Sequence, residues 1–168
     1  RYSTRQDTRP KDAAVRRIMG LSAPMMILFA VTLSFASFDW LMSLQPHWYS
    51  TIFGIYIFGS CILTGMAFIT LIAMALQKAG VLQKAITTEH YHDLGKLIFG
   101  FTVFWAYIAF SQFMLIWYAN IPEETEFYLI RLSHGWEGIT WIMPLTHFFI
   151  PFFFLMSRYV KRNRIALM

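Results

Sequence analysis

Of the five histidines in this 168-residue chain, His147 alone lies deep inside an apolar run. Projected at about 100° per residue, Glu137, Thr140, Pro144, His147 and Pro151 fall on one helical face within roughly 80°. If that run crosses a membrane, an ionisable group at its middle costs about 2.5–3.5 kcal/mol, so its presence points to function by default. Two prolines on the same face free backbone carbonyls that water or side chains could satisfy. Glu137 near one end and His147 in the middle then make two stations of a proton path. A histidine bonded to a neighbouring helix fits the same pattern.

A second stripe runs through the preceding apolar segment. Lys96, Gly100, Tyr107, Ser111 and Tyr118 project within roughly 60° of one another. The Tyr107 and Ser111 hydroxyls could relay protons or bind a polar head group. They could equally make interhelical hydrogen bonds worth about 1 kcal/mol. Nearer the amino terminus, Asp39 shares a face with Thr32 and Ser43 and is followed by Gln45-Pro46-His47-Trp48-Tyr49. A carboxylate, an imidazole and aromatic rings could hold a ring with two oxygen functions, such as a quinol, and accept its protons as electrons leave. A helix terminus with a proline turn at an interface gives the same residues. The run Glu89-His90-Tyr91-His92-Asp93 carries a His-x-His spacing that could bind a metal, but nothing completes such a site. Glu89, His90, Asp93 and Lys96 read instead as a proton entry, or as a capped helix start with Asp93 in its first turn.

The elements that must carry these residues are written in the composition. Hydrophobic residues make up 57% of the chain and charged residues 14%, against roughly 25% charged in a soluble domain. A spanning helix needs about 20 mostly apolar residues, and windows at 18–44, 52–76, 94–119 and 136–157 qualify. None alternates with period two, and in lipid the backbone must pair internally, so the spacing predicts helices. The expected fold is all-α, an integral membrane four-helix bundle. Small residues at Ser60/Thr64 and Cys61/Gly65 suit close helix packing, and the lone Cys61 excludes an internal disulfide. The polar stretch from Gln77 to Asp93 is expected to hold a short surface helix.

Charge placement sets an expected orientation. Arg1, Arg5, Arg9, Lys11, Arg16 and Arg17 precede the first window. Lys78, Lys84 and Lys96 lie between the second and third, and Arg158, Lys161, Arg162 and Arg164 follow the fourth. Arg131 alone is on the other side, among Glu123, Glu124, Glu126 and Glu137. By the positive-inside rule both ends are cytoplasmic, with basic segments at 1–17 and 158–168. The net charge of +5 is thus a topology signal and not a nucleic-acid footprint. Five of the six tryptophans (Trp40, Trp48, Trp117, Trp136 and Trp141) cluster toward the outer ends, as an interfacial belt or as a seat for an outside partner. Ile165 to Met168 reads like the start of a further apolar segment.

Three stretches carry a resemblance: the run from Phe38 to Gly54, that from Glu89 to Lys96, and Phe104-Trp105-Ala106-Tyr107 through Trp117 to Thr125. Together they resemble the membrane subunits of bacterial alternative complex III, a quinol:cytochrome c (or oxidase) oxidoreductase. That is a branch of the polysulfide-reductase (NrfD-like) membrane-anchor family. The resemblance covers about Met19 to Arg164. It implies one half of a two-bundle subunit of the bacterial cytoplasmic (inner) membrane, with no haem or cluster bound by this chain. Quinol or menaquinol would sit near the outer face. Electrons would pass to extracytoplasmic iron–sulfur and multihaem cytochrome c subunits, beside a paralogous membrane subunit and a terminal oxidase. By the same resemblance, Asp39, Tyr107 and His147 are expected on a proton path. A secondary transporter or channel fragment and a purely structural membrane anchor are the alternatives. A b-type haem would need facing histidine pairs, which the spans lack.

Overall fold

Four helices are long and apolar enough to cross a membrane: Val15–Leu44, Ile52–Lys78, Thr88–Ala119 and Glu137–Met156, of 30, 27, 32 and 20 residues. The computed structural model describes residues 12–162 apart from 82, 84 and 134, with backbone alone for 12–14. Arg1, Arg5, Arg9, Lys11, Lys84, Arg164 and the end of the basic tail lie outside the described residues. The described residues form helices and connections, with no strand among them. These elements are α1 (Asp12–Trp40), a 3-10 turn (Met42–Leu44), α2 (Ile52–Lys78), α3 (Thr88–Ala119) and α4 (Pro122–Arg131). The chain continues through α5 (Glu137–Pro144), a π-turn (Leu145–Phe149), α6 (Ile150–Met156) and α7 (Arg158–Arg162).

Two boundaries depart from the windows, because hydropathy reports depth in lipid and not where a helix ends. α3 starts at Thr88, six residues before the window at 94, and Thr87 caps it in a reciprocal capping box with His90. The Glu89-His90-Tyr91-His92-Asp93 run is therefore inside the helix. Glu89, and not Asp93, is the acid of the first turn. The expected surface helix between Gln77 and Asp93 reduces to a short connection, since α2 runs to Lys78. α4 has no counterpart in the windows. Pro122 opens it with Glu123 and Glu124 in the first turn, a favourable start for any helix.

The most extensive helix contacts run in chain order: α1 with α2, α2 with α3, and α3 with the π-turn, α6 and α7. Among the described residues no contact of similar extent joins α1 to the fourth span. Close approach is needed where α1 meets α2, since a Cβ on Gly54 would stand 2.9 Å from Ser34 Cβ and 3.0 Å from Phe38 Cζ. The tightest apolar core lies at the end of the spans that carries α4, built on Trp48, Phe53 and Ile116. Buried hydroxyls inside the spans return to their own helix. Ser37 donates to Ser34 O at 2.7 Å, Thr70 to Met66 O at 2.8 Å and Thr102 to Ile98 O at 2.8 Å. In lipid that leaves no polar atom of theirs unpaired.

Candidate functional site

At the α4 end the link after α1 and the amphipathic α4 line a half-open cavity of about 240 Å³. Leu44, Gln45, Pro46, His47 and Trp48 form one wall, and Glu126, Phe127 and Ile130 the other. Local sequence makes both walls. Pro46 turns the link back on itself, and Trp48 N–H donates to Gln45 O at 3.0 Å. α4 places Glu126 one residue from Phe127 and one turn from Ile130, so a carboxylate and two apolar side chains share its inner face. The result is an imidazole, a carboxylate and an amide around an apolar, aromatic floor. Its volume is below the roughly 300–1,000 Å³ of pockets that enclose drug-sized ligands, so it suits one ring and not a whole lipid-like molecule.

The floor is a stack. Trp48 is 5% exposed and lies parallel to Phe127 with ring centroids 3.9 Å apart, edge-on to Phe53 at 5.5 Å. The Arg131 guanidinium sits 3.4 Å from the Phe127 ring centroid and donates to Phe127 O at 2.7 Å. Two planar groups cannot share one face at those distances, so Phe127 is held between Trp48 and Arg131. The Trp48 Nε1–H is buried with no hydrogen-bond partner among the described residues. Such a donor costs about 1–3 kcal/mol unless something accepts it.

Behind the stack Tyr128 is largely buried. Burial pushes its phenol up to about 12, Tyr56 beside it adds to the shift, and Arg131 opposes it. Burial likewise holds the Arg131 guanidinium below its ordinary value, against the pull of Tyr128 and Tyr56. The folded chain therefore keeps the Tyr128 proton to higher pH than the unfolded chain, whose tyrosine titrates near 10. Stability from this group is complete below pH ~10 and falls as pH rises to about 12. The melting temperature of the wild type should drop more steeply than that of Tyr128→Phe over that interval. Parallel curves would remove Tyr128 from the alkaline transition.

A second polar level lies deeper. Trp105, 3% exposed, donates its Nε1–H to Ser60 Oγ at 2.8 Å, and Ser60 donates to Tyr56 O at 3.1 Å. His147 packs on Trp105 with ring centroids 5.1 Å apart. It sits in the π-turn, where Ile150 N–H reaches back to Leu145 O and Pro151 has no N–H to give. Arg131, Tyr128, Tyr56, Trp105 and His147 thus form a polar and aromatic series from the α4 end into the spans.

No protein-family model matches this chain, and no curated protein is similar to it.

The structure sorts the candidates read from sequence. His47 lines the cavity, whereas Asp39 is exposed outside its lining, its carbonyl accepting the Ser43 hydroxyl. The carboxylate of the site is Glu126, which the sequence marked only as a charge on the outer loop. Tyr107 is 65% and Tyr118 82% exposed, and Ser111 is half-buried. The α3 face turned to its neighbours instead carries Tyr91, Gly95, Thr102, Trp105, Gln112 and Ile116. Tyr107 is two residues, about 200°, away from Trp105. Glu137 is exposed at the start of α5, and the π-turn changes the register between it and His147. At the basic end Lys96 pairs with Asp93 at 2.7 Å and Glu89 with Arg162 at 2.7 Å. His90 accepts the Thr87 N–H there, and Tyr91 donates to Gln77 Oε1 at 2.9 Å. Among the described residues no three His, Cys, Asp or Glu side chains converge.

Proposed function

We propose that this chain is a multi-pass subunit of a bacterial cytoplasmic-membrane quinol:cytochrome c (or oxidase) oxidoreductase, with both ends cytoplasmic. The observation that carries the reading is the cavity at the α4 end, where His47, Gln45 and Glu126 surround a floor of Trp48 and Phe127. A quinol head group is one ring with an oxygen at each side, and its isoprenoid tail would remain in lipid. On oxidation it gives up a pair of electrons and a pair of protons. The electrons go to an extracytoplasmic iron–sulfur partner and on to cytochrome haems, the groups that the resemblance assigns to other subunits. The protons pass to Glu126 and His47, an acid–base pair within reach of the ring. The series from Arg131 to His147 supplies hydroxyl and imidazole groups for a proton route deeper into the spans, with the Trp105 indole holding the Ser60 hydroxyl in place, and the paralogous bundle closes the open row of helices.

A transporter fragment is the second reading, supported by the interruption of the fourth span between Pro144 and Pro151. Gentle extraction of the native protein, followed by mass spectrometry and a visible spectrum, separates the two. Iron–sulfur and multihaem cytochrome subunits should co-purify with a haem absorption band. A colourless, solitary polypeptide would overturn the redox reading.

A further inference from the structure

At the opposite end from the cavity the chain builds a cationic seat that nothing within the described residues neutralises. At Ser157 the backbone turns extended, and α7 packs against the first turns of α3. Gly95 makes that approach feasible: a Cβ there would stand 2.9 Å from Lys161 Cγ. The Lys161 stem lies along Gly95, and its ammonium is 5.2 Å from the Phe99 ring centroid. Arg162 closes the contact by pairing with Glu89 at 2.7 Å.

The two carboxylates with described side chains at this end are both taken, Glu89 by Arg162 and Asp93 by Lys96. Arg158 and Lys161 have no carboxylate partner among the described residues, and Tyr159 between them is 84% exposed. Depth decides what they face. The 32 residues of α3 make a rod of about 48 Å, against a hydrocarbon core of about 30 Å. Roughly six residues at each end then stand in the headgroup layer, which puts Gly95 and the docked Lys161 at the boundary with the acyl chains. Two unpaired cations and a tyrosine at that level match a phosphodiester head group with its chains running down beside Phe99.

We propose that Lys161, docked on α3 through Gly95, and the exposed Arg158 one helical turn before it form a binding site for an anionic phospholipid of the adjoining leaflet. The site stands on charge and depth alone and is independent of quinol chemistry.

The test is lipid retention. The protein, in the assembly in which it is extracted, is placed in nanodiscs of equal phosphatidylglycerol and phosphatidylcholine, and the lipid it keeps is counted by native mass spectrometry. The wild type should keep phosphatidylglycerol over phosphatidylcholine by about thirtyfold, given roughly a kcal/mol for each of the two cations at a membrane surface. Arg158→Gln with Lys161→Gln should bring the preference below about twofold, and Arg158→Gln alone, which leaves the Gly95 contact intact, to about fivefold. Arg162→Gln removes the Glu89 pair but neither seat cation and should keep the preference. Inorganic phosphate at tens of millimolar should displace nothing. The proposal is overturned by equal retention of both lipids, by an unchanged double variant, or by displacement with phosphate, which would make the seat a site for a free anion.

Discussion

Glu126→Gln, assembled in the proposed quinol-oxidising complex, should lose about a hundredfold in quinol-dependent turnover. The amide keeps the size and hydrogen-bonding reach of the carboxylate but accepts no proton, and removal of a general base costs typically 10²–10⁴-fold. Assembly should be unaffected, because Glu126 is exposed and makes no ion pair among the described residues. His47→Gln should fall in the same range, and the double variant should be little worse than either single one, since in the proposed reaction the two groups serve one ring. Asp39→Asn is the control that the structure supplies. It lies outside the cavity lining and should retain full turnover. A Glu126→Gln complex with more than half of wild-type turnover would remove the cavity from the reaction, and co-purification of the partner subunits would be unaltered by that result.

Trp48→Ala should be the most destabilising single change at this end, by about 3–5 kcal/mol, the usual cost of truncating a buried large aromatic. The indole is 5% exposed and fills the space between Phe53 and Phe127. Its loss releases Phe127, and with Phe127 the seat of Arg131 on α4. Trp48→Phe should recover more than half of the loss, because a smaller ring can still stack, and it removes the unpartnered Nε1–H. Thermal unfolding in detergent would show the order wild type, Trp48→Phe, Trp48→Ala. If Trp48→Ala melts within a couple of degrees of the wild type, α4 is held by something other than the stack.

The spans were legible because lipid imposes one rule, a long apolar run with few charges, and all four runs obey it. What depends on rotation about a helix axis was harder to read. The stripe of Lys96, Tyr107, Ser111 and Tyr118 is a genuine face of α3, yet the buried face is the one with Trp105, and both are apolar enough to pass for either. Ring contacts decide between them, and those are visible only in three dimensions. Glu126 was hidden for a different reason. α4 is ten residues long and amphipathic, so it gives no hydropathy window, and its acids look like ordinary loop charges. His47 was found because its neighbours are aromatic and proline. Its carboxylate partner is far along the chain, which a spacing argument restricted to one segment cannot reach.

The π-turn at Leu145–Phe149 behaves as one surplus residue in an otherwise α-helical frame. Everything after it is rotated by about 100° from where an uninterrupted helix would carry it. Leu155, the buried residue of α6, lies in the shifted frame. The fourth span thus has two reading frames in space, one for the half that follows α4 and one for the half that leads to α7. Removing a single residue between Leu145 and Phe149 would merge them and swing the α6 half out of register. A length change of one amino acid in the middle of the membrane would then be felt at the basic end, in a segment whose own sequence had not altered.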